Sequence, residues 1–327
     1  MNRRRFLSSA LGTAPAAVCG PLFSSPLGTL LGVQGPALKL GSPPSRPQLA
    51  LTMDDPMLAL NCSMKWPDAN ARILKAIDSR NVRAALFVCG MRIDATEGTK
   101  LLTAWDQAGH LICNHSYSHL FYGEQTSYGD FAVDFLKNEK IIAPYQHGTP
   151  LFRYPFLKEG ETAEKRDRFR ALLKERGYRV GHVTIDASDW YVNQRLLHRW
   201  EAKPNFSVEA YRDFLIAHLL DRAGFYRQLA IDVVGRDIRH TILLHFNALN
   251  ALVLPDMLAA FESAGWQWVD ANVAYEDLVF ERQPKIVPAG ESLVWALAKE
   301  SGRFENRLRY PGEDGEYERP KLDQLAL

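Results

Sequence analysis

The stretch Asn114-His115-Ser116-Tyr117-Ser118-His119 carries two histidines four residues apart in an otherwise uncharged segment. Residues at that spacing share a face at a helix start or in a turn, so both imidazoles can reach one point. Two imidazoles converging on one point suit a divalent cation, most often zinc. Such a cation needs at least one more protein ligand, and an open position if it is to do chemistry. The supplier upstream is Asp54-Asp55, at the end of an apolar run. Asp55 with His115 and His119 makes a two-histidine, one-carboxylate set that leaves room for water, whose pKa zinc lowers to about 7. On a strand or turn the Asp54 side chain points elsewhere than that of Asp55. One aspartate can thus bind metal while the other takes the water's proton.

Three further stretches carry reactive residues. Arg153, in Phe152-Arg153-Tyr154-Pro155-Phe156, can hold a base carboxylate ionised and position it. His245 lies in the apolar run Ile242-Leu243-Leu244-His245-Phe246 and taken alone reads as a core histidine. Beside Asp189 it becomes a candidate general acid, its charged form stabilised by the carboxylate. Trp190 offers either an apolar wall for a small acyl group or plain core.

The elements that position these residues follow a rhythm. Apolar strands are predicted at 49–53, 84–89, 111–113, 151–153, 178–185, 241–244 and 266–269. Helical spacing is read at 68–80, 101–108, 131–142, 166–176, in one or two helices over 208–234, and at 257–264. Gly109, Gly177 and Gly265 each end a helix just before a strand, and Asn81 is a fourth such stop. Repeated βα units with short apolar strands imply a parallel sheet covered by helices, and about seven units imply a closed or nearly closed barrel rather than a long open sheet. The polar residues then share one phase. Asp54 and Asp55 follow the first strand and His115 and His119 the third. Arg153 ends the fourth, Asp186 and Asp189 follow the fifth, and His245 ends the sixth. These strand ends face one mouth, where barrel active sites are built.

The totals bound the reading. The 327 residues are 46% hydrophobic and 24% charged, which is ordinary globular composition. Net charge is +1 with no long basic run after the first residues, so there is no footprint for nucleic acid. No apolar stretch is long enough for a transmembrane span. Cys19, Cys62, Cys89 and Cys113 lack metal-type spacing, and Cys89 and Cys113 read as buried core thiols. A disulfide stays open for an oxidising compartment.

Residues 1–36, beginning Asn2-Arg3-Arg4-Arg5-Phe6-Leu7, look like a twin-arginine export signal, which places the protein in the periplasm or outside the cell. Ala16-Ala17-Val18-Cys19 is a poor lipobox, so no lipid anchor is expected. Residues 37–47 read as a Pro/Gly/Ser-rich linker, 48–282 as the catalytic domain and 283–327 as a packing extension. In that extension Leu293, Val294, Trp295 and Leu297 suggest one docked helix, and 310–321 is expected to be polar and extended.

Five ordered motifs resemble those of the polysaccharide deacetylase family, the metal-dependent carbohydrate esterases that include chitin and peptidoglycan deacetylases. Thr52-Met53-Asp54-Asp55 looks like T-F-D-D, and His115-Ser116-Tyr117-Ser118-His119 matches H-[ST]-x-x-H. Arg153-Tyr154-Pro155-Phe156 resembles R-x-P-Y, Asp186-Ala187-Ser188-Asp189-Trp190 matches D-x-x-D-W, and Leu243-Leu244-His245 matches L-x-H. The resemblance covers about residues 48 to 280. It implies a distorted (β/α) barrel that removes N-acetyl or other N-acyl groups from an amino-sugar glycan such as peptidoglycan, a chitin-like polymer or an exopolysaccharide. It also implies zinc, or cobalt, nickel or manganese in its place, on Asp55, His115 and His119. By the same resemblance Asp54 is the base, held by Arg153, and His245 is the acid, oriented by Asp189. The Phe156 backbone N–H would stabilise the oxyanion. The usual glycine after the aspartates is here Pro56, the usual tyrosine is Phe156, and His245 is followed by Phe246-Asn247-Ala248. Residues 191–240 form a long insertion expected to carry a lid or rim. Two other functions remain: hydrolysis of a non-sugar amide or cyclic imide, and an inactive glycan-binding role.

Overall fold

The computed structural model describes residues 46–309 and 314–327. The expected export signal, Cys19 and most of the linker lie outside the described residues. The chain runs β1 (Gln48–Asp54), α1 (Trp66–Asp78), β2 (Ala85–Val88), α2 (Thr96–Gln107), β3 (Leu111–Asn114), α3 (Tyr128–Ile142), β4 (Gly148–Phe152), β5 (Lys158–Gly160) and α4 (Ala163–Glu175). It continues through β6 (Arg179–Val180), α5 (Asp189–Ala202), α6 (Glu209–Val234), β7 (Arg239–His245), α7 (Ala248–Ser263), β8 (Gln267–Trp268), α8 (Ala271–Ala274), β9 (Ala289–Gly290), α9 (Leu293–Ser301) and α10 (Asp314–Gln324).

The main sheet has seven parallel strands in the order β6-β4-β3-β2-β1-β7, with β8 also paired to β1. β1 is buried almost throughout, as expected of a strand covered on both faces. The chain after β6 walks across the gap between the two edges. Gly181 donates its N–H to Phe152 O at 2.7 Å, and four residues later Ile185 bridges in parallel to Ile242 of β7. This segment turns the curled sheet into a barrel. Gly181 is required for the crossing, because a Cβ there would lie 2.4 Å from the Phe87 ring.

The expected stops are present. Gly109, Gly177 and Gly265 have φ of +82°, +74° and +90°, and Asn81 has +52°. This left-handed conformation reverses the chain into the next strand.

Several segments depart from expectation, among them the strand expected at 178–185, which shortens to β6. Residues 191–240 form no separate lid: α5 and α6 bury Val192, Leu196, Leu215, Leu219 and Leu229 against the core, and the segment contributes Asn193 to the rim of the cleft described below. α7 starts at Ala248, nine residues before the expected start. The Asn247 side chain accepts the Asn250 N–H and caps it, and the helix runs through Pro255 because its burial of Leu249, Val253, Leu254 and Leu258 outweighs the proline. In the extension, α9 is the expected docked helix, but the last segment is α10 rather than extended chain. Two short strands not foreseen, β5 and β9, pair antiparallel. Cys89 and Cys113 are fully buried, and Cys62, Cys89 and Cys113 are free thiols.

Candidate active site

Strand register sets the site. Asp54 of β1 lies level with Phe87 of β2 and with His245 of β7, so the candidate base and acid end adjacent strands at the same height. Asn114 of β3 is level with Phe152 of β4, which puts His115 beside Arg153. Asp54, Asp55, His115, His119, Phe156, Asp186, Trp190 and His245 all line one cleft of about 520 Å³.

The backbone is bent to reach it. Asp55, Ser116, His119 and Phe156 have φ of 57° to 63°, the left-handed region that non-glycine residues rarely occupy. Such conformations persist where surrounding bonds fix them, and they gather at functional sites. Here the His119 loop is fixed by Asp134, whose carboxylate accepts the N–H groups of Tyr117 and Ser118 and the Ser118 hydroxyl. At Asp55 the left-handed turn lets two consecutive carboxylates face one cleft, where an extended strand would send them to opposite faces.

Asp55, His115 and His119 each bring one ligand atom to within 4.8 Å of the others. His115 Nδ1 lies 2.8 Å from Arg153 O, and a carbonyl only accepts, so Nδ1 carries the proton and the Nε2 lone pair faces the aspartates. Burial lowers the pKa of both His115 and His119 to about 3, which keeps them neutral as ligands must be. Asp55 Oδ1 is buried without a hydrogen-bond partner. An orphaned carboxylate oxygen beside two neutral imidazoles fits a divalent cation. Arg92 Nη1 lies 3.2 Å from the other Asp55 oxygen.

Asp54 is 2% exposed and pairs with Arg153 Nη1 at 2.5 Å. Burial raises its pKa, while Arg153 and His245 pull it back. Arg153 is itself locked. It donates to Gly181 O and Tyr275 Oη, and its guanidinium lies 3.8 Å from the centre of the Phe87 ring. His245 Nδ1 lies 2.8 Å from Asp189 Oδ1. The other oxygen, Asp189 Oδ2, accepts from the His245 N–H, Asn247 Nδ2 and Asn250 Nδ2. Burial would lower the His245 pKa, but the charge and hydrogen bond of Asp189, with Asp54 and Asp55, raise it to about 9. The cleft thus holds two neutral imidazoles, a buried carboxylate and a charged imidazole, groups able to serve as metal ligands, base and acid. Phe156 packs edge-on to His119, with ring centres 4.6 Å apart, and Trp190 is 44% exposed on the opening turn of α5.

All nine residues singled out in the sequence reach this region. Arg153 and Asp189 do so through Asp54 and His245. Sequence reasoning missed Arg92, Asp134, Tyr275, Asn247 and Asn250. Asn247 carried a usable signal, an Asn ahead of an apolar run. Tyr275 carried none, being 122 residues from the arginine it contacts.

A candidate base, a candidate acid and a cation-ready group around one cleft at the mouth of a parallel barrel are the parts that a hydrolase attacking an acyl carbon with water requires. Residues 41–181 match the family model described as polysaccharide deacetylase, and over that span the chain carries a polysaccharide deacetylase domain. The match includes Asp54, Asp55, His115, His119, Arg153 and Phe156, while Asp189, Trp190 and His245 lie beyond it. Among solved structures, a mutant of a Bacillus anthracis pseudoenzyme of carbohydrate esterase family 4 aligns with a TM-score of 0.50 and 16% identity, covering 71% of this chain and 68% of that one. The chitin deacetylase of the fungal pathogen Colletotrichum lindemuthianum aligns with a TM-score of 0.49 and 20% identity, over 71% of this chain and 89% of that one. A family 4 carbohydrate esterase from Streptomyces lividans, in complex with acetate, gives 0.45 and 21%, over 67% and 90%. At such identities the likeness to the pseudoenzyme is one of fold. A search of curated proteins gave no match.

Proposed function

We propose that the protein removes N-acetyl groups from an amino-sugar glycan, of peptidoglycan, chitin-like or exopolysaccharide type. The observation that carries the reading is the register match of Asp54 and His245 across the Asp55–His115–His119 group. A divalent cation on that group, zinc by the chemistry of its donors, would supply Lewis acidity and a water of lowered pKa. Asp54, oriented by Arg153, takes the proton of the attacking water. Phe156 offers its backbone N–H to the oxyanion that forms. His245, charged at neutral pH, gives its proton to the departing amine nitrogen, and Asp189 holds the ring in the tautomer this requires. Trp190 and the Phe156 ring, both lining the cleft, offer apolar walls to the acyl group. An inactive glycan-binding role is disfavoured, because the base, the acid and their partners are all present and engaged. The arginine-rich start of the chain supports export, which would bring the enzyme to cell-wall or extracellular glycan.

The test is acetate release from peptidoglycan and chitin oligomers by metal-stripped protein, zinc-restored protein and Asp54→Asn. Release that returns with zinc and is lost in Asp54→Asn supports the reading. Zinc bound stoichiometrically with no release would remove these glycans as substrates and point to another amide. Neither zinc binding nor release would sink the enzymatic reading.

A further inference from the structure

The C-terminal helix makes an unusual contact behind the acid. Glu318 of α10 is fully buried. Its carboxylate accepts from the Ser188 hydroxyl at 3.1 Å, lies 3.6 Å from His218 Nδ1 on α6 and pairs with Arg309. The Ser188 N–H in turn donates to His218 Nε2 at 3.3 Å. That bond leaves the His218 proton on Nδ1, facing Glu318, so carboxylate and imidazole grip Ser188 at both its backbone and its hydroxyl.

Ser188 stands immediately before Asp189 and is the N-cap residue of α5. A serine there ordinarily turns its oxygen onto an N–H of the first turn. This one makes no such cap bond and spends its hydroxyl on Glu318 instead. The tail grips α5 further along as well. Arg195 pairs with Asp323 and donates to Leu327 O, and Arg199 donates to Ala326 O. Leu322 is fully buried. The helix whose first residue carries the His245 partner is therefore tied to the tail at its start and along its length. Residues 314–327 lie well outside the deacetylase match.

We propose that Glu318 is a positioning residue for the general acid. Through Ser188 and His218 it fixes the opening turn of α5, and so the direction from which Asp189 holds His245. The inference rests on His245 acting as the acid of the proposed deacetylation. Misplacement of a catalytic group by a fraction of an ångström lowers turnover without weakening binding.

The test exploits leaving-group acidity. Departure of an amine needs a proton, and departure of 4-nitrophenolate does not. In Glu318→Ala the kcat for an N-acetylated chitin oligomer should fall about ten-fold or more, with KM and the rate on 4-nitrophenyl acetate within about two-fold of wild type. Ser188→Ala should fall in the same direction by less, and Glu318→Gln should recover part of the loss. Equal falls on both substrates alongside a lower Tm would make Glu318 merely structural and overturn the proposal, as would an unchanged kcat. If wild type deacetylates no glycan, the proposed function fails separately, and proton NMR then decides the brace. The His245 Nδ1–H should exchange faster with water in Glu318→Ala than in wild type, and an equal exchange rate would overturn it.

Discussion

Replacing Asp189 with asparagine tests the origin of the charge on His245. The structure indicates how the substitution would settle. Asp189 Oδ2 accepts three donors, and the amide oxygen can take that place and keep them. The amide NH2 then occupies the position of Oδ1 and faces His245 Nδ1, so it donates where the carboxylate accepted. The ring must give up its Nδ1 proton. With the charge gone, burial is left as the largest influence and works downward. The His245 pKa should therefore fall from about 9 to 6.5 or lower. That difference is worth about 3 kcal/mol of preference for the imidazolium. At pH 7 the charged fraction drops from about 99% to about a quarter at most. The measurement has two arms. An NMR titration of metal-free protein reads the His245 pKa directly, and acetate release against pH reads its consequence. The alkaline limb of kcat should move down by at least two pH units, with kcat at pH 8 lower by about thirty-fold or more. His245 titrating near 9 in Asp189→Asn would refute the reasoning, because the charge would then have another source.

Three other expectations follow from the same geometry. Arg153→Met leaves the Asp54 carboxylate buried without its partner, so folding stability measured by denaturant should fall by about 3 to 5 kcal/mol at pH 8. Since the Asp54 pKa is raised, the loss should shrink as pH falls and the carboxyl takes a proton; an equal loss at pH 8 and pH 4.5 would count against an ion-pair role. Burial holds His115, His119 and His182 near pKa 3 and His240 near 4, below the 6.5 of the unfolded chain. Unfolding near pH 5 should thus take up as many as about four protons at these sites, and the Tm of metal-free protein should drop steeply between pH 6.5 and 4.5. A flat Tm across that window would contradict it. Asp55→Asn tolerates the left-handed backbone, and by calorimetry it and His119→Gln should each weaken zinc binding at least about a hundred-fold, with Asp54→Asn within about ten-fold of wild type. Strong zinc loss in Asp54→Asn alone would exchange the roles of the two aspartates.

The alternation of apolar strands and glycine-stopped helices was legible because it is local: period, cap and stop all lie within one element. The strand-end positions of Asp54, Asp55, His115, His119, Arg153 and His245 were legible for the same reason, and they implied a shared mouth before any pairing was known. The start of α7 was not legible because it lies ahead of Pro255, and the sequence there does not say how deeply the helix packs or that its burial outweighs the proline. α10 was misread because its helical state depends on partners in α5 and α6 rather than on its own polar sequence. The register that sets Asp54 level with His245, the 122-residue reach from Arg153 to Tyr275, the amides that hold Asp189 and the grip of Glu318 on Ser188 were decided only in three dimensions. Residue types and spacing determine which chemistry this chain can carry. Long-range packing determines which groups are stripped of water and beside which charge, and that sets the protonation states on which the chemistry depends.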